Sequence, residues 1–445
     1  MTRIRSDHLL RLRLDRGWTQ EQAAEKIGVD ARTYRRYERQ EIGITNRAGQ
    51  FDILRAIAAA FDLNGPEDLL AEASSPAVSS TGDSASRVSR SGLSARMFPA
   101  LSDRVPQPPD AQYDLAWYVH RDQEELEALN KLRIASAPVV LQGPYLQGKG
   151  HLTSFLLQEI GRRVLAEDAP VVVIRLNFGS LERTHLQSLD TLLYCIAKRA
   201  IEQAVPHRAQ SILDEQWQRP GSANAKLARL LQRDVLSQCR TLLVLEKVER
   251  LHGCSFQDDF FALLRGWVEQ TNQDPWNRLR ILVTVATEPT LLDSLDHSSF
   301  FALANPVRVG GFNRPQTEQL ASLYDLVLPS SVAEHLDATL RGHPYLLRVV
   351  FYESVVREES VESLLAKGHT AGVFGNHLKS LHRWAEENHL LAVLNSIISN
   401  PGVWLSFSDY CKLYSHGLII EEEVGIHRIR CPLYEQYFKS LCRNR

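Results

Sequence analysis

No stretch of this chain approaches the roughly 20 consecutive apolar residues that a membrane-crossing helix requires, which argues against a membrane partner. An apolar leader core is missing as well: the first residues are polar and arginine-bearing, and residence in the bacterial cytoplasm, in association with the nucleoid, is expected. Net charge is nearly absent, because 51 Lys and Arg stand against 53 Asp and Glu, so any nucleic-acid surface has to be local. The six cysteines (Cys195, Cys239, Cys254, Cys411, Cys431 and Cys442) lack CxxC spacing, as suits reduced thiols rather than a disulfide framework. Cys411, His416, His427 and Cys431 match no common zinc-finger spacing, and no metal site is assigned.

What is present is ordinary globular material, 445 residues with 44% hydrophobic content, which suits about three domains. Residues 1–72 carry apolar positions at helical spacing: Leu9, Leu10 and Leu12, then Ala23, Ala24 and Ile27, then Ile53, Leu54, Ile57 and Ala58. Residues 73–112 turn to Ser, Pro, Gly and Arg, as in SSPAVSSTGDSASRVSRSGLS, and are expected to form a flexible linker. Residues 113–310 alternate helical patterns with the apolar runs PVVLQ, VVVIRLN, TLLVLE and ILVTVAT, the pattern of a parallel sheet covered by helices on both faces. Helices return over 311–372, and 373–445 reads as helices followed by two short strands around Val424 and Gly425.

In the first segment Thr19 can N-cap a helix over Gln20 to Ile27, GVD makes a short turn, and Asp30 can N-cap a second helix from Ala31 to about Arg39. Two short helices joined in this way form a helix-turn-helix, whose second helix can enter the major groove of double-stranded DNA. Over residues 31–39 four arginines stand against one acid, so positive charge is concentrated on the segment that phosphate contacts and guanine readout would use. The string WTQEQAAEKIGVDARTYRRYER resembles the phage-repressor/Cro-type DNA-binding family, including Gln20, Ala24, Gly28, Val29 and Glu38. That resemblance implies that Gln20 touches backbone phosphates, that Ala31, Arg32 and Arg36 lie where bases are read, with Thr33 on the same helix, and that Arg35 and Arg39 serve phosphates. It departs from the family at Gln40, where a glycine usually follows the recognition helix. One such head binds weakly, so a homo-oligomer is implied.

The segment VVLQGPYLQGKGH runs from strand into a glycine loop of the G-x-x-x-x-G-K-[ST] type, with Gly143, Gly148 and Lys149 in place and Gly150 where the Mg²⁺-holding Ser or Thr belongs. Backbone N–H groups of the loop, the helix start at Lys149 to His151, and the Lys149 ammonium would cradle phosphates, making ATP or ADP the expected cofactor. An Asp-Glu pair is expected at the end of a later strand to handle Mg²⁺ and water, but TLLVLEKVERL offers Glu246 and Lys247. Glu246 is then at most the remnant of a metal ligand, no side chain is assigned a catalytic role, and Mg²⁺ is poorly provided for.

Residues from about 114 to 445 resemble the AAA-like domain of the STAND branch of P-loop NTPases, through YVHRD at 118–122, the glycine loop, FQDDFFALLRGW at 256–267, VATEPTLL at 285–292, GGF at 310–312 and RGHPYLL at 341–347. The resemblance implies a helical lid over 311–372 whose GHP triplet, including Pro344, closes on the nucleotide, a sensor role for Thr287, and a winged-helix-like end over 373–445. The expected whole is multidomain: an all-α head, an α/β parallel-sheet P-loop domain, a lid and a winged helix. Its expected function is that of a sequence-specific DNA-binding regulator whose module, deficient in hydrolysis, controls assembly or docks a protein effector. An ATP-hydrolysing switch and a signalling or anti-phage scaffold are the alternatives. Glu421, Glu422 and Glu423 would repel phosphates from the wing, which favours packing or protein binding there.

Overall fold

A computed structural model describes residues 105–163, 170–292, 300–368, 372–400, 402–423 and 425–443, together with 2–3, 12–13, 16, 18–29, 34, 43–44, 56–57 and 60–61 near the N-terminus. The chain divides into two compact units, Met1–Leu93 and Ser94–Arg445. In the first, two-residue strands β1 (Thr2–Arg3) and β2 (Gly43–Ile44) pair antiparallel. The helix Gln20–Ile27 starts with a capping box, in which the Gln22 N–H donates to Thr19 Oγ1 at 3.1 Å and the Thr19 N–H donates to Gln22 Oε1 at 2.8 Å. Ala23, Ala24 and Ile27 are buried on one side of it, as their spacing predicts. It stops at Gly28, whose φ of +80° lets its N–H close back onto the Ala24 carbonyl. The expected second helix falls on Ala31, Arg32, Thr33, Arg35, Arg36 and Arg39, which lie outside the described residues; within that span Tyr34 is described and fully buried.

The second unit is built on a five-stranded parallel sheet. Its strands are β3 (Val139–Gln142), β4 (Val171–Asn177), β5 (Arg240–Glu246), β6 (Leu279–Val285) and β7 (Val307–Arg308), arranged in the order β4-β5-β6-β3-β7. Side-chain alternation sends Val140, Leu243, Leu245 and Val283 to one face and Val139, Leu141, Leu242, Val244 and Leu282 to the other. The first face is covered by the helix Leu189–Ala204, which buries Leu192, Leu193, Ile196, Ala197, Ala200 and Ile201 at successive turns. The second is covered by Ala128 and Leu132 of the helix Asp122–Leu132 and by Leu152, Phe155 and Leu156 of the helix Lys149–Arg163. Both faces are therefore dry, which is why these strands read as unbroken apolar runs.

A second core belongs to the helices that follow the sheet. Leu320, Leu336, Leu346, Phe351, Leu378 and Leu394 share it with Leu418, Ile419 and Ile429, so the segments 311–372 and 373–445 pack as one body. Strands β8 (Ile419–Glu423) and β9 (Ile426–Ile429) form an antiparallel hairpin before the final helix Pro432–Arg443. Trp117 and Val119, which precede the sheet, also join this core. The expected linker over 73–112 ends earlier: 73–104 lie outside the described residues, but Gln107 accepts from Tyr324 Oη at 2.8 Å and its side-chain oxygen accepts from Arg348 Nη1 at 2.9 Å. Polar and proline-rich composition marked these residues as tether, whereas they are anchored by partners more than 200 positions away. Among the described residues no helix is long and apolar enough to cross a membrane.

Candidate functional site

The C-terminal ends of parallel strands are where open α/β sheets bind ligands, and β3 leads straight into the glycine loop there. Gly143 N–H donates to the Val285 carbonyl, and a Cβ at Gly143 would sit 2.2 Å from the Val309 carbonyl oxygen, so the loop's first glycine is fixed by a backbone crossing. Gly148 holds a φ of +86°, which turns the chain into the helix Lys149–Arg163. Leu152 N–H is the first to bond back, to Gly148, which leaves the N–H groups at the helix start available to an anion.

Beside the loop lies a cavity of about 380 Å³, within the range of small-molecule sites. Gly148, Lys149, Gly150 and His151 form one wall, and Glu246, Lys247, Glu249 and Thr284 another. Tyr118, Val119 and Arg121 come from the segment before the sheet; Phe312, Pro344, Tyr345 and Arg348 come from the helical region; Pro109, Asp110 and Ala111 close a side. Six residues expected at the nucleotide or metal site, Gly148, Lys149, Gly150, His151, Pro344 and Glu246, are thus brought together. Gly143 does not line the cavity. Thr287 does not line the cavity; it sits past the end of β6, beside the Cys411 thiol, and Thr284 of the same strand takes the cavity position. Gln20 begins the helix of the other unit, as expected.

Cations crowd this cavity. Lys149 Nζ donates to the Gly143 carbonyl and, at 2.8 Å, to that of Pro144. Burial pushes its pKa down to about 8, with Glu249 opposing the shift and Lys247 and Arg430 adding to it. Burial also pushes the His151 imidazole down to about 4, with Arg348 and Arg121 reinforcing, so near neutrality it offers hydrogen bonds and no charge. Arg348 donates to the Trp117 carbonyl at 2.7 Å. Arg121 donates to the carbonyls of Gln147 at 2.9 Å and Gly310 at 3.1 Å and lies 4.6 Å from the Phe312 ring centroid. The motif YVHRD owes its form to this arginine and to Glu125, which accepts from the Arg121 N–H at 2.6 Å and from Tyr118 Oη at 2.9 Å.

Glu246 does not face the cavity as a free carboxylate. Arg175 Nε and Nη2 reach its two oxygens at 2.7 and 2.9 Å, and hydrogen bonding to Glu246 raises the Arg175 pKa. Mg²⁺, which a P-loop ordinarily binds through a Ser or Thr hydroxyl and a strand-end carboxylate, fits these two positions poorly: Gly150 has no side-chain hydroxyl to give and Glu246 is already bridged. Sequence reasoning missed Arg175, Arg348 and Glu249. Arg175 sits inside the apolar run VVVIRLN and Arg348 directly after RGHPYLL, where nothing in either pattern names a partner for the arginine, while Glu249 carried a signal, an acid three residues beyond Glu246.

The loop is also held from the C-terminal side. Tyr145 N–H donates to the Ser415 carbonyl at 2.8 Å, Arg430 Nη2 donates to Gln147 Oε1 at 2.7 Å, and the Tyr145 ring meets His416 edge-on at 5.1 Å. A Cβ at Gly417 would lie 3.4 Å from Pro144 Cβ. Residues 415–417 and Arg430 therefore contact the loop directly through backbone and side chains.

A helix-turn-helix family profile matches residues 9–66, and an AAA-like domain profile matches residues 108–440. No curated protein matches the chain in sequence. Similar solved structures include a Walker-type ATPase of Pyrococcus abyssi, 17% identical, covering 72% of this chain and 96% of its own, with a TM-score of 0.46. The ORC2 protein of Aeropyrum pernix, in ADPNP–ADP complexes, is 14% identical over 72% of this chain and 93% of its own, with a TM-score of 0.40. A STAND protein with a tetratricopeptide repeat sensor from Pyrococcus horikoshii is 12% identical over 75% of this chain and 44% of its own, with a TM-score of 0.36. Since the second profile spans well over half of its length, the chain, a helix-turn-helix DNA-binding domain fused to a P-loop module, belongs to the AAA-like domain family.

Proposed function

We propose that the chain is a sequence-specific DNA-binding regulator whose AAA-like module binds ATP or ADP and, without efficient hydrolysis, uses occupancy of that site to control assembly or the docking of a protein partner. The observation that carries the reading is the grip of the C-terminal segment on the glycine loop, through Tyr145 to Ser415 and Gln147 to Arg430, beside a cavity of nucleotide-binding character. In this reading 311–372 acts as lid and 373–445 as a winged-helix-like reporter, with β8 and β9 as its wing. Phosphates entering the loop would draw the Lys149 ammonium off the Gly143 and Pro144 carbonyls, and the bonds to Ser415 and Arg430 would carry that change outward. The DNA-reading residues are Arg32 and Arg36, with Gln20, Arg35 and Arg39 on phosphates.

The test is the mass of the full chain in solution and its affinity for a selected DNA duplex, each with and without ADP or a non-hydrolysable ATP analogue. A change of at least about fivefold in DNA affinity or in the association constant is expected, the lower end of ordinary coupling between sites. Identical values with saturating nucleotide would overturn the regulatory reading. A pH dependence follows from Lys149. Its pKa of about 8 means that the empty site loses its charge above that pH, while bound phosphates favour the protonated form. Affinity for nucleotide is therefore expected to fall by up to about tenfold per pH unit above 8, with proton uptake on binding, and calorimetry in buffers of different ionisation enthalpy checks both.

A further inference from the structure

Two side chains at the strand ends, Arg175 and Lys247, reverse the charge that a P-loop site ordinarily offers a metal. In the parallel register Asn177 of β4 stands opposite Glu246 of β5, and Arg175, two residues earlier on the same face of β4, reaches both Glu246 oxygens. Glu246 is 6% exposed in its side chain and has no oxygen left over. Lys247, the next residue, is held in a left-handed conformation with φ of +60°, its N–H donating to Thr284 Oγ1 at 2.9 Å. Its stem runs along Gly179, where a Cβ would come within 2.8 Å of Lys247 Cδ and 3.2 Å of Nζ, so a side chain at 179 would collide with it. The result is a lysine on the cavity wall at the strand-end position where an acid ordinarily orients water or shares a cation, with Glu249, two residues further on, also lining the cavity. Gly150 completes the set; a Cβ there would meet nothing within 4 Å, so the site has room for a serine side chain and lacks its hydroxymethyl group.

A dication among Lys149, Lys247 and the Arg175–Glu246 pair would find two ammonium groups and a neutralised carboxylate, against which stand Glu249, one oxygen of which accepts from the Ala286 N–H at 3.1 Å, and a Thr284 hydroxyl that already accepts from the Lys247 N–H. A bare polyphosphate would find those same ammonium groups and the free N–H groups of a helix start. Resting on the reading of the cavity as a nucleotide site, we propose that it binds nucleoside di- or triphosphate in the metal-free form, with Lys149 and Lys247 supplying the neutralising charge and Arg175 holding Glu246 away from any metal. The site then senses free nucleotide rather than its Mg²⁺ complex.

The experiment titrates a fluorescent N-methylanthraniloyl ADP into the full chain in excess EDTA and again in millimolar Mg²⁺. Binding in EDTA at least as tight as in Mg²⁺ is expected, together with a loss of about tenfold in EDTA for Lys247→Ala, whose fold is checked by its thermal transition. The double variant Gly150→Ser/Arg175→Gln restores a hydroxyl and frees Glu246 while keeping a hydrogen-bonding side chain on β4. Its affinity is expected to become metal-dependent, at least about fivefold tighter in Mg²⁺ than in EDTA. Wild-type binding tightened tenfold by Mg²⁺ would overturn the metal-free proposal while leaving the nucleotide site standing. A folded double variant that stays indifferent to Mg²⁺ would overturn the role given to Arg175. Absence of binding in both buffers would overturn the nucleotide reading itself, and the proposal with it.

Discussion

Changing Arg32 and Arg36 together to Ala is expected to abolish enrichment of any specific duplex when the full chain is used to select from random DNA, where the wild type enriches one. The charge pattern sets the size of the effect. Four arginines crowd residues 31–39 against one acid in a chain of nearly balanced charge, so this segment carries the local positive potential that DNA binding needs. An arginine bidentate to guanine is worth about 1–3 kcal/mol of discrimination, and two of them together would lower specific affinity by roughly 30-fold at the least. The helix before this segment is well made: the capping box at Thr19 sets its start and Gly28 ends it in the left-handed turn that a helix-turn-helix uses. Arg39→Ala is the informative control. Without a guanidinium on the phosphate at that position, binding to every sequence weakens alike and the salt dependence falls by about one ion, while the selected duplex stays the same. Specific binding left intact in the double variant would remove Arg32 and Arg36 from the reading head.

Local chemistry made much of the second unit legible. The strands β3, β5 and β6 are buried on both faces, so they appear as apolar runs that need no alignment to find. The glycine loop was legible because its constraints are local as well: a left-handed turn at Gly148 and a lysine at the first helical position. Arg175 could not be read in the same way. It lies 71 residues from Glu246, and only the adjacency of β4 and β5 joins them. Composition misled at 105–112, where Pro and Gln looked like tether, because a hydrogen bond from Tyr324 or Arg348 leaves no mark on the linker's own sequence. Thr287 stands off the cavity wall for a geometric reason. Three residues past Thr284 the chain has left β6, and its side chain is packed beside Cys411. The bonds from Ser415 and Arg430 to the loop were equally invisible, since they join segments more than 260 residues apart.

Replacing Lys149 by Met is expected to move affinity and stability in different directions. In the empty site the ammonium is buried beside Lys247 and Arg430, and its pKa sits near 8 against an ordinary value of 10.5. Because the folded pKa is the lower one, the unfolded chain binds more protons between those values, and stability rises with pH across that window. Below about pH 8 the cost of burying the charge is present in full, on the order of 3 kcal/mol. Methionine removes that cost, fills a similar volume, and gives up the hydrogen bonds to the Gly143 and Pro144 carbonyls, each worth about 1.5 kcal/mol at the lower end for a charged donor. The two effects nearly cancel, so near neutral pH the variant should melt no lower than the wild type, and its melting temperature should lack the rise between pH 8 and 10 that Lys149 contributes. Nucleotide affinity should fall by at least about 30-fold, because a buried partner of the phosphate charge is gone. Differential scanning calorimetry across that pH range, with titration of the fluorescent nucleotide at pH 7, separates the outcomes. A variant that melts well below the wild type while keeping its affinity would show that Lys149 props up the loop, and would take the phosphate-binding role away from it.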